Sequence, residues 1–187
     1  MTAIRTKADS IIQQHILWSL GAGLVPVPFL DIAAVSAIQL DMLKQLSSLY
    51  GVSYSESEGK VWLSALSGSI LARVAANAVK LIPGIGSIIG GISMSALSGA
   101  STYALGQVAI THFEGNGDLT NLDLGAAKRA YDQEFEKGKQ VASRMAKDPK
   151  ETRDVFEKLE KFKELRDKGV ISDDDFEAMK RKLLDEV

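Results

Sequence analysis

Apolar positions recur at helical spacing through the first half of the chain and predict four helices. Residues 3–20 place isoleucine and alanine on one side, residues 32–50 place isoleucine, leucine and methionine on one side, and both stretches end at glycine. A Ser-x-x-Glu capping box predicts a third helix over about 55–81, which has almost no polar stripe. A fourth helix is predicted from about 86 to 113, on the order of 40 Å long at 1.5 Å per residue.

Two proline-containing segments separate these predicted helices in pairs. In the first, two prolines impose extended backbone and an aspartate is placed to cap the helix that follows. In the second, a Pro-Gly-x-Gly sequence breaks the helical pattern. The residues assigned to these hairpin turns are Pro26, Pro28, Asp31, Pro83, Gly84 and Gly86.

Small side chains recur every four residues along the fourth predicted helix. Such a face lets two helix backbones approach closely. Glycine costs roughly 1 kcal/mol in an exposed helix, so the concentration of glycine predicts a compensating contact. Tight packing within the chain, and a contact with another copy or with a bilayer, both fit this pattern. The residues assigned to this face are Gly90, Gly91, Ser95, Ser98, Gly99, Thr102 and Gly106.

The second half of the chain predicts a charged helix near 122–147 and then a short helical hairpin. Asp148 and Pro149 restart the helix, Gly169 ends it, and Ser172 begins the last helix. A unit of about 35 residues cannot sustain its own core, so it must dock or self-associate. Its apolar edge, assigned to C-terminal association, consists of Phe156, Leu159, Phe162, Leu165, Ile171, Phe176, Met179 and Leu183.

These patterns predict an all-α protein in three parts. Residues 1–114 form an apolar domain of helical hairpins with about four helices. Residues 115–149 hold a charged connecting helix, and residues 150–187 form a C-terminal αα-hairpin.

Charge is distributed very unevenly along the chain. Of the 46 charged residues, 9 lie in 1–60, only Arg73 and Lys80 lie in 61–113, and 35 lie in 114–187. Residues 10–30 and 81–113 carry no charge at all. The leucine, isoleucine, valine and phenylalanine content of 81–113 makes a straight membrane span marginal. Re-entrant or interfacial hairpins and an unusually apolar soluble bundle remain alternatives.

Arg73 and Lys80 lie seven residues apart on one predicted helix face. They are candidates for contact with anionic lipid headgroups or a partner. Pairing with Asp31 or Asp41, or snorkelling of the side chains, explains them equally well.

Composition and motifs argue against catalysis and against nucleic-acid binding. The net charge of −2 lacks the basic excess of phosphate-binding proteins, and the chain has no cysteine. His15 and His112 have no second histidine or cysteine at metal-ligand spacing, so we interpret them as interfacial or capping residues. No phosphate-binding loop or nucleophile–base set can be assembled. We therefore expect no enzyme activity, no cofactor and no metal.

Two known families are similar to parts of this sequence. Residues 20–114 resemble the YcjF-type bacterial domain in Leu24-Val-Pro-Val-Pro-Phe-Leu-Asp31, Tyr50-Gly51, Leu81-Ile-Pro-Gly-Ile-Gly86 and Thr102-Tyr-Ala-Leu-Gly106. Residues 153–185, with Gly169-Val-Ile-Ser172 before an acidic cap and Phe176, are similar to the short C-terminal domain SHOCT. The first resemblance implies membrane association without an assigned activity, often beside small GTPases. The second implies oligomerisation or protein contact.

The leading hypothesis is a non-enzymatic bacterial protein on the cytoplasmic side of the inner membrane. Its partners would be the lipid bilayer and further copies of itself, in a homo-oligomeric scaffold or membrane-remodelling coat. One alternative is a soluble cytoplasmic adaptor whose C-terminal hairpin binds another protein, such as a small GTPase. A second alternative is a pore-forming protein.

Overall fold

The computed structural model describes residues 3–22, 30–78, 88–89, 92–146 and 149–185. Within these residues the chain forms seven helices and one pair of two-residue strands, which confirms the all-α class. The strands pair antiparallel, with Ile88 opposite Ser93 and Ile89 opposite Ile92. The elements are α1 (Ala3–Ala22), α2 (Leu30–Leu49), α3 (Glu56–Ala78), β1 (Ile88–Ile89), β2 (Ile92–Ser93), α4 (Met94–Glu114), α5 (Leu124–Met145), α6 (Pro149–Asp167) and α7 (Asp173–Asp185).

Helix α4 is the centre of the bundle, and α1 runs antiparallel to it. At one end the Arg5 guanidinium is 3.1 Å from the Glu114 carboxylate. At the other end the Ser95 hydroxyl donates a 2.7 Å hydrogen bond to the Leu20 carbonyl. We call the Arg5–Glu114 side the lower end, and the Leu20–Ser95 side, where α1 stops and α4 starts, the upper end.

The prediction of a fourth helix from residue 86 is wrong at its start. The helix begins at Met94, and β1 and β2 precede it. Isoleucines at 88, 89 and 92 are β-branched and favour strands. The two glycines between them in the sequence are poor helix formers and suit the two-residue connection of a hairpin.

Most predicted helix starts have the expected caps. The Ser55 hydroxyl accepts from the Glu58 N–H at 3.3 Å, and the Ser172 hydroxyl accepts from the Asp175 N–H at 3.1 Å. Asp31 does not precede its helix as predicted, because α2 already begins at Leu30. Asp31 is thus the second residue of α2 and not the residue before the helix.

The small residues of α4 are in contact with neighbouring helices of the same chain. A methyl group at Gly106 would lie 2.6 Å from Cγ1 of Ile12 on α1. At Gly99 it would lie 3.0 Å from Cβ of Ala142 on α5 and 3.1 Å from Cδ2 of Leu20. Helices α1 and α5 therefore approach α4 more closely than larger side chains at these positions would allow.

The C-terminal hairpin, α6 and α7, packs on α1. Leu159, Phe176 and Leu183 are buried, whereas Phe162, Leu165, Ile171 and Met179 are partly buried, and Phe156 lies in α6. The Phe176 ring lies between two cations, 4.6 Å from Arg166 Cζ and 5.5 Å from Lys180 Nζ. The apolar edge predicted from the sequence thus borders α1 and the inside of the hairpin, as the size of the unit requires.

Candidate functional site

A network of buried polar side chains joins all five helices of the bundle. Gln39 on α2 donates from Nε2 to the Ser101 and Thr102 hydroxyls of α4, at 3.0 and 3.1 Å. Ser19 on α1 is 2.7 Å from the Thr102 hydroxyl. Tyr131 on α5 is 2.7 Å from the Ser101 hydroxyl, and donates to Ser67 on α3 at 3.3 Å.

The donor and the acceptor of each hydrogen bond in this network can be assigned without conflict. The Thr102 hydroxyl donates to the Ser98 carbonyl at 3.0 Å, so it accepts from both Ser19 and Gln39. The Ser101 hydroxyl accepts from Gln39 and donates to Tyr131, whose own proton goes to Ser67. Burial raises the pKa of the Tyr131 phenol, so it remains a neutral donor. Within this network no two donors compete for the same acceptor lone pair. The network therefore fixes the positions of the five helices relative to one another.

On α5 the exposed residues beside Tyr131 are charged or polar, namely Lys128, Arg129, Asp132 and Gln133, but the outer surface of α2 beside this network is apolar. On α2, Ala33, Ala34 and Ala37 are exposed while Gln39 is buried. The ordinary distribution of a water-soluble bundle is the reverse, with polar residues outside. Polar groups that face the bundle interior and small apolar residues outside are typical of helices in an apolar environment.

His15 and Asp41 form a second polar contact, between α1 and α2. The His15 ring is fully buried, with Nδ1 2.7 Å from the Ile11 carbonyl and Nε2 3.1 Å from the Asp41 carboxylate. Both neighbours are acceptors, so the ring donates to both only in its protonated form. The hydrogen bond from His15 holds the pKa of Asp41 below its usual range, although burial opposes it.

Trp18 lies beside this pair, beneath the C-terminal hairpin. Its ring meets the His15 ring edge-on at 4.7 Å, and Lys163 Nζ on α6 lies 5.1 Å from its centroid. Only 5% of Trp18 is exposed, and its indole Nε1 finds no hydrogen-bond partner among the residues that the structure describes. Such an orphaned donor is unusual in a buried site.

The structure brings some of the sequence-predicted site residues together and leaves others undetermined. Ser95, Gly99, Thr102 and Gly106 line the contacts of α4 with α1, α2 and α5, and Ser98 accepts from Thr102. Arg73 lies in α3, but Asp41, one of its suggested partners, pairs with His15. Pro26, Pro28, Lys80, Pro83, Gly84, Gly86, Gly90 and Gly91 lie outside the described residues.

Sequence reasoning missed several residues of this region. The periodicity of the second helix groups Gln39 with Asp41, Lys44 and Gln45 on its polar face, yet Gln39 is buried. His15 was interpreted as interfacial or capping, but it lies in the core between α1 and α2. Trp18 and Lys163 were not singled out. The one available signal is that Ser67 lies in a predicted helix with almost no polar stripe.

The described part of the chain shows neither a metal-binding cluster nor a membrane-spanning helix. No group of three or more acidic or histidine side chains there is arranged to hold a metal ion. None of the helices, within the same residues, combines the length and hydropathy needed to cross a membrane.

Comparisons with known proteins match two regions of the chain to known families. A family model described as a domain of unknown function, DUF697, matches residues 1–140, and the short C-terminal domain SHOCT matches residues 157–184. Both resemblances are thus confirmed, and the first match extends to include α1 and most of α5. Magnetosome membrane protein 22 of Magnetospirillum gryphiswaldense is 42% identical over 143 residues, which are 74% of this chain and 73% of the relative. No solved structure matches the chain.

Proposed function

Since the chain belongs to the DUF697 family and carries a short C-terminal domain, we propose that it is a membrane-associated bacterial scaffold protein attached through the upper end of its bundle. At this end α1 stops and α4 starts, each within one of the uncharged stretches 10–30 and 81–113 of the sequence. The name of the 42% identical relative, a magnetosome membrane protein, supports the membrane as the partner.

The single observation that carries this proposal is the inward direction of the polar side chains. Ser19, Gln39, Ser67, Thr102 and Tyr131 satisfy one another inside the bundle, while alanines occupy the outer face of α2 beside Gln39. Water would solvate these groups equally well at the surface, so an inward direction is optional for a bundle in water. Next to lipid they must find partners within the protein.

The scaffold part of the proposal is self-association on the cytoplasmic face of the inner membrane. The C-terminal hairpin is too small for a core of its own and depends on a docking surface. Within a single chain, the C-terminal hairpin docks on α1. The long, charged helices α5 and α6 remain exposed along one side and are available for contacts between copies.

Flotation of the purified full chain with vesicles of bacterial lipid tests membrane attachment. Val25→Asp combined with Phe29→Asp introduces charge where the uncharged segment joins α1 and α2. Membrane-bound protein should fall by about tenfold or more, because a charged residue in apolar lipid costs roughly 2.5 kcal/mol or more. Ile4→Asp is the matched control, since Ile4 is exposed near the lower end, and it should float like the parent. Failure of the parent chain to float contradicts the proposal.

Mass photometry of the membrane-extracted protein tests self-association separately. A homo-oligomer in detergent is expected. A monomer at every concentration would leave membrane attachment standing and remove the scaffold role.

A soluble adaptor is the second candidate function, because α4 is enclosed within its own chain. Its small-residue face is already filled by α1, α2 and α5. In this case the C-terminal hairpin binds another protein, such as a small GTPase. Purification without detergent as a monodisperse monomer that does not float would favour the adaptor over the scaffold.

A further inference from the structure

The C-terminal hairpin covers α1 close to the upper end of the bundle. Lys163 on α6 lies over the Trp18 ring, and Val155 and Leu159 of the same helix are buried. Trp18 is one helical turn from Ala22, where α1 ends and the uncharged segment 23–29 follows. The covered face of α1 is therefore continuous with the part of the chain that we assign to membrane attachment.

This cover leaves Trp18 in an unfavourable state. The indole is almost fully buried, yet its N–H donates to none of the described groups. An unpaired buried donor loses its hydration without replacement. Indole rings are most stable where the ring is in an apolar layer and the N–H reaches water or a polar head, which is the condition at a membrane surface.

The contact over Trp18 also depends on charge. The ammonium of Lys163 lies over the Trp18 face, and its charge adds a small share to the lowering of the pKa of Asp41 on α2, which is due first to the hydrogen bond from His15. Asp41 is about half-buried and is held by His15 and Gln45, at 3.1 and 2.7 Å. A negative charge at position 163 would therefore be repelled by a carboxylate that has little freedom to move.

We propose that the C-terminal hairpin is a detachable cover, and that the Trp18 face of α1 beneath it binds a lipid surface when the hairpin leaves. The inference rests on the proposed membrane attachment and adds a second, regulated contact to it. The hairpin and the lipid compete for one face, so loosening the hairpin strengthens membrane binding. In the covered state the upper-end segments alone attach the protein.

Two full-length variants distinguish this competition from a general effect of charge. Lys163→Glu places a carboxylate against Asp41 and the Trp18 face and should release the hairpin. Lys161→Glu makes the same change of charge two residues away on the same helix, at an exposed position. Only the first variant should alter the contact with α1.

Fluorescence of Trp18 with vesicles of brominated lipid reads the contact directly. The chain has two tryptophans, so Trp62→Phe leaves Trp18 as the sole reporter. In this background Lys163→Glu should lower the lipid concentration for half-maximal quenching by about tenfold, since apparent affinity follows the fraction of binding-competent molecules. Lys161→Glu should match the parent. A chain with Trp18→Phe, which reports Trp62 near the lower end against His112, should show no quenching.

Each outcome has a separate meaning. If the protein co-sediments with vesicles but Trp18 stays unquenched in both variants, the cover hypothesis is wrong and membrane attachment stands. If Lys163→Glu and Lys161→Glu behave alike, the hairpin does not compete with lipid. If no variant binds vesicles, both proposals fail. Should Trp62→Phe reduce the helical circular dichroism signal, 5-fluorotryptophan in the unmutated sequence gives separate ¹⁹F signals for the two rings and the same comparison.

Discussion

Gly106 of α4 lies directly against Ile12 of α1, so that a methyl group at position 106 would be 2.6 Å from the Ile12 Cγ1 atom. Met42 of α2 also lies within 3.3 Å of the same point. Helices α1, α2 and α4 therefore pack closely at this position because Gly106 has no side chain. This contact makes the small-residue face of α4 part of the fold of a single chain.

Gly106→Ala should destabilise the protein by about 1–3 kcal/mol, because overpacking forces α1 away from α4. Gly68→Ala on α3 is the matched control, since no atom lies within 4 Å of the added methyl group. That change should be neutral or stabilise by up to about 1 kcal/mol, as alanine favours helix over glycine. Urea unfolding followed by circular dichroism measures both. Equal midpoints would show that α1 and α4 are not packed as described.

Thr102→Val should remove the centre of the polar network and cost about 1–3 kcal/mol, because Ser19 and Gln39 would lose their shared acceptor while remaining buried. Thr111→Val makes the same change at an exposed position of the same helix and should have little effect. A double-mutant cycle with Ser19→Ala gives the coupling directly. Additive losses would contradict a connected network.

Asp41 makes the stability of the protein depend on pH in the acid range. Its pKa is lower in the folded chain than in the unfolded chain, chiefly through the hydrogen bond from His15. Its contribution is therefore fully present above the unfolded pKa of about 3.9 and is lost as the pH falls through the lower, folded value. Asp41→Asn should flatten this part of the stability profile measured by chemical unfolding. Asp132→Asn, exposed on α5, is the control, and an identical profile for both variants would refute the His15–Asp41 contact.

The sequence predicts most of the helices of this protein because their ends carry strong local signals. Ser55 and Ser172 cap α3 and α7, and Gly169 has the positive φ of +68° expected after α6. These signals involve residues only a few positions apart. The sequence pattern predicts the start of α4 too early, because a run of small and apolar residues lacks the polar stripe that would distinguish a helix from a β-hairpin.

The site is less predictable, since its contacts join residues far apart in the sequence. Gln39 reaches Ser101 and Thr102, 62 and 63 positions away, and Ser19 reaches Thr102 over 83. Helical periodicity assigns a polar residue such as Gln39 to the outside, which holds for a helix in water. The exception here has a physical cause, because a partner on α4 replaces the water that Gln39 would otherwise bind.

The most direct test of the account is to measure which end of the bundle contacts lipid when the protein is bound to a membrane. The chain has no cysteine, so Val27→Cys and Ser53→Cys each provide a single site for an environment-sensitive dye. Val27 lies in the uncharged segment between α1 and α2, and Ser53 is exposed in the connection between α2 and α3 at the lower end. With vesicles, the account predicts a blue shift and quenching by lipid-borne quencher for the dye at 27 and neither for the dye at 53. A dye at 27 that stays in water on membrane-bound protein would contradict it.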